Sequence, residues 1–211
     1  MIGRRLPRGF FRRPVTEVAP DLLGRVLVRE LPDGARLAVR LVETEAYRRD
    51  DAASHSFRGP TPRTATMFGP PGHLYVYFTY GMHHCMNAVT GSPEGASAVL
   101  LRAGEPLLGI EEMTRRRGGR ALIDLCRGPA RLCQALGVDR ALDGSDLVRG
   151  GPVWIGAGSP PAGPIMTTPR IGVRRDADRP WRFVDAGSRF VSASGPVGAR
   201  GTASAIRSSR P

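Results

Sequence analysis

Alternating apolar and polar positions dominate the first half of the chain and predict a sheet built from hairpins. The alternation in RLAVRLVETEAY follows a PDG turn signal and predicts the second arm of a β-hairpin. HLYVYF and HHCMNAVT flank the turn TYGM and predict another hairpin. The predicted strands cover residues 25–31, 36–47, 73–78, 83–90, 95–106, 170–173 and 182–194.

Helical patterns are fewer and lie between the strands. A short helix is predicted before Gly24, a second within 106–117, and a third over 129–136, closed by Gly137. Gly and Pro make 48–73 a long loop, and such loops in compact domains are usually functional or disordered. A second loop is predicted at 150–164. The N-terminal residues 1–13 are predicted to be a loosely held basic arm, and residues 195–211 a disordered tail.

The order of these elements favours an α+β fold. Strands prevail, helices are interspersed, and neither regular βαβ alternation nor an internal repeat is present. No linker divides two cores, so residues 1–194 are predicted to form one mixed domain around a mainly antiparallel sheet with peripheral helices.

The charge of the chain narrows the class of partner. Formal net charge is +12 with a sequence pI near 11.2, and all 31 basic residues are Arg because the chain has no lysine. Such an excess of positive charge indicates a polyanionic partner, more often a nucleic acid than a membrane surface. Codon bias explains the choice of Arg over Lys, but it leaves the surplus of positive charge unexplained.

Cysteine and apolar patterns point to a reduced, cytosolic protein. Cys85, Cys126 and Cys133 form no C-x-x-C pair, which is typical of structural thiols. The adjacent His83 and His84 are poorly spaced for one metal ion, so neither a metal nor a cofactor is predicted. The N-terminus lacks the apolar core of a signal peptide, and no window approaches 18 apolar residues.

All four tyrosines and all four histidines lie between positions 47 and 84. Tyr75 and Tyr77 share one face of a predicted strand, either lining a site or reaching solvent as ordinary sheet residues. Tyr80 falls in a hairpin turn, where a ring suits insertion into a base stack. Asn87 on the return strand presents an amide to a base edge or satisfies a turn.

Two carboxylates precede the long loop. Glu43 and Glu45 share one face of an apolar strand, and each is either a solvated strand-end residue or a general base. His55 in the loop is a structural hydrogen-bonding group or a participant in catalysis. Zinc-dependent base deamination is excluded, because H-x-E and P-C-x-x-C are absent. A nucleic-acid-binding module without catalytic activity remains an alternative to an enzyme.

Ordered sequence blocks extend this interpretation. The blocks are LVETEAY, DAASHSFRGPTPRTATMF, PGHLYVYFTYGMHHCMN, VLLRAGEPLLGIEEM, GPARLCQALGV and PRIGV. From about Phe10 to Ser192 the chain resembles the alkyladenine (3-methyladenine) DNA glycosylase family, in its mammalian-type form with bacterial members. The resemblance implies a curved antiparallel sheet and a monomeric bacterial enzyme of the cytoplasm and nucleoid that excises alkylated or deaminated purines from double-stranded DNA.

The resemblance also implies roles for single residues. Glu45 matches the carboxylate that activates water, and Arg102 and the carbonyl of Ile171 match the groups that hold this water. Asn87 matches the side chain that disfavours guanine. The remaining matches are pocket walls at Tyr47, His55 and Tyr77, and an intercalating residue at Tyr80. His83 and His84 replace bulkier aromatic residues of some relatives, so the groove face beside Tyr80 is expected to differ.

Overall fold

A computed structural model describes residues 2–92 and 95–192. Within those residues the chain forms two helices, five strands, two further helices and three final strands, with short 3₁₀ turns between some of them. The helices are α1 (Arg8–Phe11), α2 (Val15–Asp21), α3 (Ile110–Arg116) and α4 (Pro129–Leu136). The strands are β1 (Val26–Glu30), β2 (Arg36–Tyr47), β3 (Leu74–Thr79), β4 (His83–Thr90), β5 (Ser97–Leu108), β6 (Val153–Gly156), β7 (Ile165–Thr168) and β8 (Arg182–Asp185).

The strands form one sheet in the order β3-β4-β5-β2-β1-β6, with β8 paired to β2 and β7 paired to β8. Every pairing between these strands is antiparallel, so the α+β prediction is confirmed. Strand β2 pairs with β1 along Arg36–Arg40 and with β8 along Glu43–Glu45. Register shifts between β2 and β5 flank Glu43, and such bulges bend a strand and increase its twist. The bend therefore lies beside the two carboxylates.

The main hydrophobic core lies between the sheet and helices α2 and α4. Helix α2 carries its apolar residues at helical spacing, so that Val18 and Ala19 lie on one face and are buried in the core. The Thr44 hydroxyl donates to the carbonyl of Ala19 at 2.8 Å, which ties this helix to β2. Because neighbouring side chains on a strand point to opposite faces, Glu43 and Glu45 lie on the face away from α2.

Several predicted elements are confirmed. Helix α2 ends before Gly24, which has φ +81°, and α4 ends at Gly137 with φ +61°, a backbone conformation that glycine adopts without strain. Both predicted hairpins form, as β1–β2 and β3–β4. The loop 48–73 contains no strand and one short 3₁₀ turn at Ala65–Phe68.

Four assignments differ from the structure. The segment 150–164 was predicted to be all loop but contains β6, a four-residue strand between Gly- and Pro-rich flanks. The segment 170–173 is not a strand, because the Ile171 amide donates to the Glu45 side chain rather than to a neighbouring strand. The predicted strand 182–194 is shorter, because among its described residues 182–192 only Arg182–Asp185 form a strand. The predicted helix 106–117 begins later, at Ile110, because β5 continues to Leu108.

The termini also differ from the prediction. Residues 2–13 are not a loose arm, because Leu6 and Phe11 are buried in the main core and Arg8 forms an ion pair with Asp146 at 2.6 Å. The predicted tail at 195–211 lies outside the described residues. Among the residues that are described, no helix is long and apolar enough to cross a membrane.

Candidate active site

A cavity of about 250 Å³ opens on the face of the sheet that carries Glu43 and Glu45. Strands β3, β4 and β5, the start of the loop 48–73 and the segment 171–173 supply its walls. Its lining includes seven of the eight predicted site residues: Tyr47, His55, Tyr77, Tyr80, Asn87, Arg102 and Ile171. The eighth, Glu45, is fully buried immediately behind them.

Glu45 accepts three hydrogen bonds. Its Oε2 accepts from the Tyr47 hydroxyl at 2.8 Å and from Nη1 of Arg102 at 3.2 Å, and its Oε1 accepts from the Ile171 amide at 2.8 Å. An ionised carboxylate offers about four acceptor positions. One position on Oε1 is therefore left unused by the described residues. The resemblance assigned the carbonyl of Ile171 a role, whereas the bond seen here is made by its N–H.

Arg102 lies between the two carboxylates. Its Nε donates to Oε1 of Glu43 at 2.9 Å, while Nη1 donates to Glu45. Burial alone lowers the pKa of Arg102, but the carboxylates of Glu45 and Glu43 outweigh burial and raise it above its ordinary value. Arg102 is therefore a permanent cation with a fixed orientation.

Glu43 is the centre of a buried cluster with Arg102, Arg182 and Ser192. Both of its oxygens are occupied: Arg182 donates at 2.7 Å, and the Ser192 hydroxyl and amide donate at 2.8 and 2.6 Å. Burial raises the pKa of Glu43, but Arg102 and Arg182 outweigh burial and hold it below 4.5. The two carboxylates that the sequence left equivalent are thus distinguished by their partners.

Aromatic rings form the walls of the cavity. The His55 and Tyr77 ring centroids are 4.5 Å apart at 74°, and those of Tyr75 and Tyr77 are 5.6 Å apart at 36°. Burial raises the pKa of Tyr47 and Tyr77 well above 10, so both hydroxyls stay protonated donors. Burial and the nearby Arg63 lower the pKa of His55 below 6.5, so its imidazole is neutral at pH 7.

Tyr80 lies at the tip of the β3–β4 hairpin and its side chain is 81% exposed. Its φ is +52° and that of Gly81 is +67°, and a positive φ is rare for a bulky residue. Phe78 and Met82 beside it are also exposed, which makes the tip apolar. The hairpin therefore presents a ring to solvent at the rim of the cavity.

Asn87 and the histidine pair occupy different positions. Asn87 is buried on β4, where its Nδ2 donates to the carbonyl of Tyr75 at 3.1 Å and fixes the amide in the cavity wall. His83 and His84 are outside the cavity lining, and the ring centroids of His84 and Phe78 are 4.9 Å apart.

Cys85, Cys126 and Cys133 are free thiols, and no group of three potential metal ligands occurs among the described residues.

Sequence reasoning left one feature of the site open and missed another. Tyr75 is buried, and its hydroxyl lies 3.0 Å from Nδ1 of His55 rather than in solvent. Arg170 and Asp51 form a fully buried ion pair behind the cavity. The alternation that places Tyr75 beside Tyr77 indicated the first feature. No short-range pattern connects residues 51 and 170.

Comparison with known proteins gives consistent matches. Residues 9–189 match the family model described as methylpurine-DNA glycosylase (MPG). A protein of Burkholderia cenocepacia, provisionally named a 3-methyladenine DNA glycosylase, is 51% identical over 92% of this chain and 94% of its own. Relatives with the same name occur in Streptomyces avermitilis, 57% identical over 84% of this chain and 86% of the relative, and in Carboxydothermus hydrogenoformans, 49% identical over 89% and 98%.

Proposed function

The chain belongs to the methylpurine-DNA glycosylase family, and from that premise we propose that it excises alkylated and deaminated purines from duplex DNA by water attack on the N-glycosidic bond. Repair of alkylated bases such as 3-methyladenine is the activity that the family implies. The observation that carries the mechanism is the buried Glu45, held by three donors behind an aromatic cavity.

The cavity suits a single base that has left the DNA stack. A glycosidic bond inside a duplex is out of reach of a protein side chain, so the nucleotide is turned out at a cost of a few kcal/mol. The volume of about 250 Å³ lies below the roughly 300–1,000 Å³ of pockets for drug-sized ligands, which fits one nucleobase. Tyr47, His55 and Tyr77 offer stacking surfaces, and positively charged alkylpurines gain further attraction to tyrosine faces.

Glu45 acts on the attacking water. The unused acceptor position of the carboxylate binds one hydrogen of the water, and Glu45 takes that proton as the water oxygen bonds to the sugar carbon. The glycosidic bond breaks and the base leaves with the electron pair. The transition state resembles an oxocarbenium ion, so an anion at this place also stabilises positive charge on the sugar.

Arg102 keeps this carboxylate in place. It is anchored at Nε by Glu43, so Nη1 reaches Glu45 in one orientation. The anchor matters because a displacement of about 1 Å in a catalytic group costs up to about a hundredfold in rate. Arg102 is therefore assigned to positioning Glu45 and its water.

Tyr80 fills the gap that the extruded nucleotide leaves. Its exposed ring stands on a rigid hairpin tip beside the cavity, so insertion into the duplex places the cavity next to the displaced nucleotide. Asn87 in the cavity wall crowds the exocyclic amine of guanine, which adenine-derived bases and hypoxanthine lack.

Water, rather than an amine, is the assigned nucleophile. Glycosylases that also cut the strand form a Schiff base, usually through a lysine whose pKa is lowered by burial. The chain contains no lysine, and a guanidinium stays protonated. The product is therefore an intact abasic site.

One assay tests the proposed function. The protein is incubated with duplex oligonucleotides that contain 3-methyladenine, hypoxanthine or ethenoadenine, and half of each reaction is then heated in alkali. Excision by the proposed mechanism gives cleavage at the lesion only after alkali. Lesion binding without cleavage in either half would leave a non-catalytic DNA-binding protein.

A further inference from the structure

The guanidinium of Arg170 joins three separate segments behind the cavity. Its two terminal nitrogens pair with the carboxylate of Asp51, with Nη2 to Oδ1 at 3.0 Å. Nη1 also donates to the carbonyl of Ala46 at 3.0 Å, and Nη2 donates to the carbonyl of Asp176 at 3.1 Å. Both members of the ion pair are completely buried. The four N–H groups on the two terminal nitrogens of Arg170 thus all have acceptors, whereas its buried Nε has none among the described residues.

Arg170 lies next to the two groups other than Arg102 that donate to Glu45, the Tyr47 hydroxyl and the Ile171 amide. The guanidinium carbon is 4.6 Å from the Tyr47 ring centroid, in cation–π contact, and the Tyr47 hydroxyl donates to Oε2. The next residue, Ile171, donates its amide to Oε1. Each oxygen of Glu45 is thus bonded to a group that Arg170 holds in place.

We propose that Arg170, anchored by Asp51, is a positioning residue that fixes the Tyr47 hydroxyl and the Ile171 amide against Glu45. The same pair fixes the start of the loop that carries His55, because Asp51 is four positions before it. The pair therefore sets the carboxylate and one aromatic wall of the cavity together. This role rests on the proposed function, since it supposes that Glu45 is the base.

Arg is needed here for its shape as well as its charge. The planar fork reaches Asp51, Ala46 and Asp176 at once while its face lies on Tyr47. A lysine in its place keeps the charge and one bond to Asp51, but it loses the fork. Arg170→Lys therefore removes geometry without changing the net charge of the site.

The pH dependence of excision reports this geometry. The charged and titratable groups around Glu45 are Tyr47, Glu43, Tyr77, Cys85, Arg102, Arg182 and Arg170. All of them remain in Arg170→Lys or are replaced by an equal charge. Hydrogen bonds to a carboxylate favour its ionised form, so weaker bonds from Tyr47 and Ile171 stabilise that form less. The acid limb of the pH–rate profile then moves to higher pH.

The experiment measures single-turnover excision of hypoxanthine from duplex DNA against pH for Arg170→Lys, Asp51→Asn, Tyr47→Phe and Arg170→Lys/Tyr47→Phe. We expect the rate at pH 7 to fall about tenfold or more in Arg170→Lys and Asp51→Asn, and the acid limb of Arg170→Lys to move to higher pH. The effects of Arg170→Lys and Tyr47→Phe should be less than additive, because Arg170 acts partly through Tyr47. If Arg170→Lys is recovered unfolded, Asp51→Glu decides the test, because it keeps both charges of the buried pair and changes only its geometry.

The matched control is Arg8→Lys. Arg8 also bonds an aspartate and a main-chain carbonyl, Asp146 and Pro71, but it is outside the cavity lining. We expect Arg8→Lys to lower the thermal stability of the protein and to leave the acid limb of the pH–rate profile unchanged. An unmoved limb in Arg170→Lys, or additive effects of Arg170→Lys and Tyr47→Phe, overturns the role of Arg170. Absence of excision by the wild-type protein would instead contradict the proposed function itself.

Discussion

Glu43→Gln tests the distinction between the two buried carboxylates. The substitution keeps size but removes an anion that accepts from Arg102 at 2.9 Å and from Arg182 at 2.7 Å, with all three side chains buried. Removing one partner of a buried ion pair costs about 3–5 kcal/mol, because the remaining charge is left uncompensated. For a chain of this length 1 kcal/mol shifts the melting temperature by about 2–4 °C, so we expect a loss of about 6–20 °C at pH 7.

The matched control is Glu105→Gln. Glu105 also pairs with an arginine, Arg40 at 3.8 Å, but its side chain is 34% exposed. Surface pairs contribute about 0–1 kcal/mol, so the control should lose at most a few degrees. Chemical unfolding of both variants and the wild type gives the free energies of unfolding directly.

The pH dependence gives a second check. The pKa of Glu43 is below its ordinary 4.5 in the folded protein, so the unfolded chain binds the proton more tightly. Its stabilisation is complete above pH 4.5 and is lost as the pH falls through the lowered folded pKa. The difference between wild type and Glu43→Gln should therefore shrink in acid. Equal losses in Glu43→Gln and Glu105→Gln, or a pH-independent difference, would refute this reasoning.

Three further outcomes are expected. Tyr80→Ala should shift the flipping equilibrium of ethenoadenine, followed by its fluorescence, more than it slows bond cleavage; an unchanged equilibrium excludes Tyr80 as the wedge. Asn87→Ser should raise removal of undamaged guanine relative to hypoxanthine, and identical rate ratios count against crowding by Asn87. Borohydride should trap no covalent protein–DNA adduct during excision; an adduct that disappears when the N-terminus is blocked moves the nucleophile to the amine of Met1.

The fold was largely predictable because its sheet is built from local hairpins. The alternation in β3 and β4 and the turn between them placed Tyr77 and Tyr80 correctly without long-range information. Strand β6 was missed because it has only four residues and takes its order from β1 across a gap of more than a hundred positions. The segment around Ile171 was misassigned because a short apolar run resembles a strand in sequence. The sequence does not show that the Ile171 amide donates to a side chain, Glu45, instead of to a neighbouring strand.

The structure brings the predicted site residues together at one cavity, but their arrangement was not predictable from the sequence. The resemblance selected Glu45 over Glu43, and the geometry supplies a physical reason: Glu43 accepts four hydrogen bonds from Arg102, Arg182 and Ser192, whereas Glu45 accepts three and bonds to Tyr47, Arg102 and Ile171 of the cavity lining. Arg170 and Asp51 could not be paired from sequence, because charged residues are frequent in this chain and usually solvated. Only tertiary structure shows which arginine is buried on which aspartate.

Release of 3-methyladenine by Glu45→Gln tests the central claim most directly. Single-turnover release from methylated duplex DNA is compared with wild type, alongside binding to the same DNA and the melting temperature. Loss of the general base should lower the rate by about 10²–10⁴-fold while binding and folding persist. A near-normal rate constant from a folded Glu45→Gln protein would contradict the assignment of Glu45 as the base.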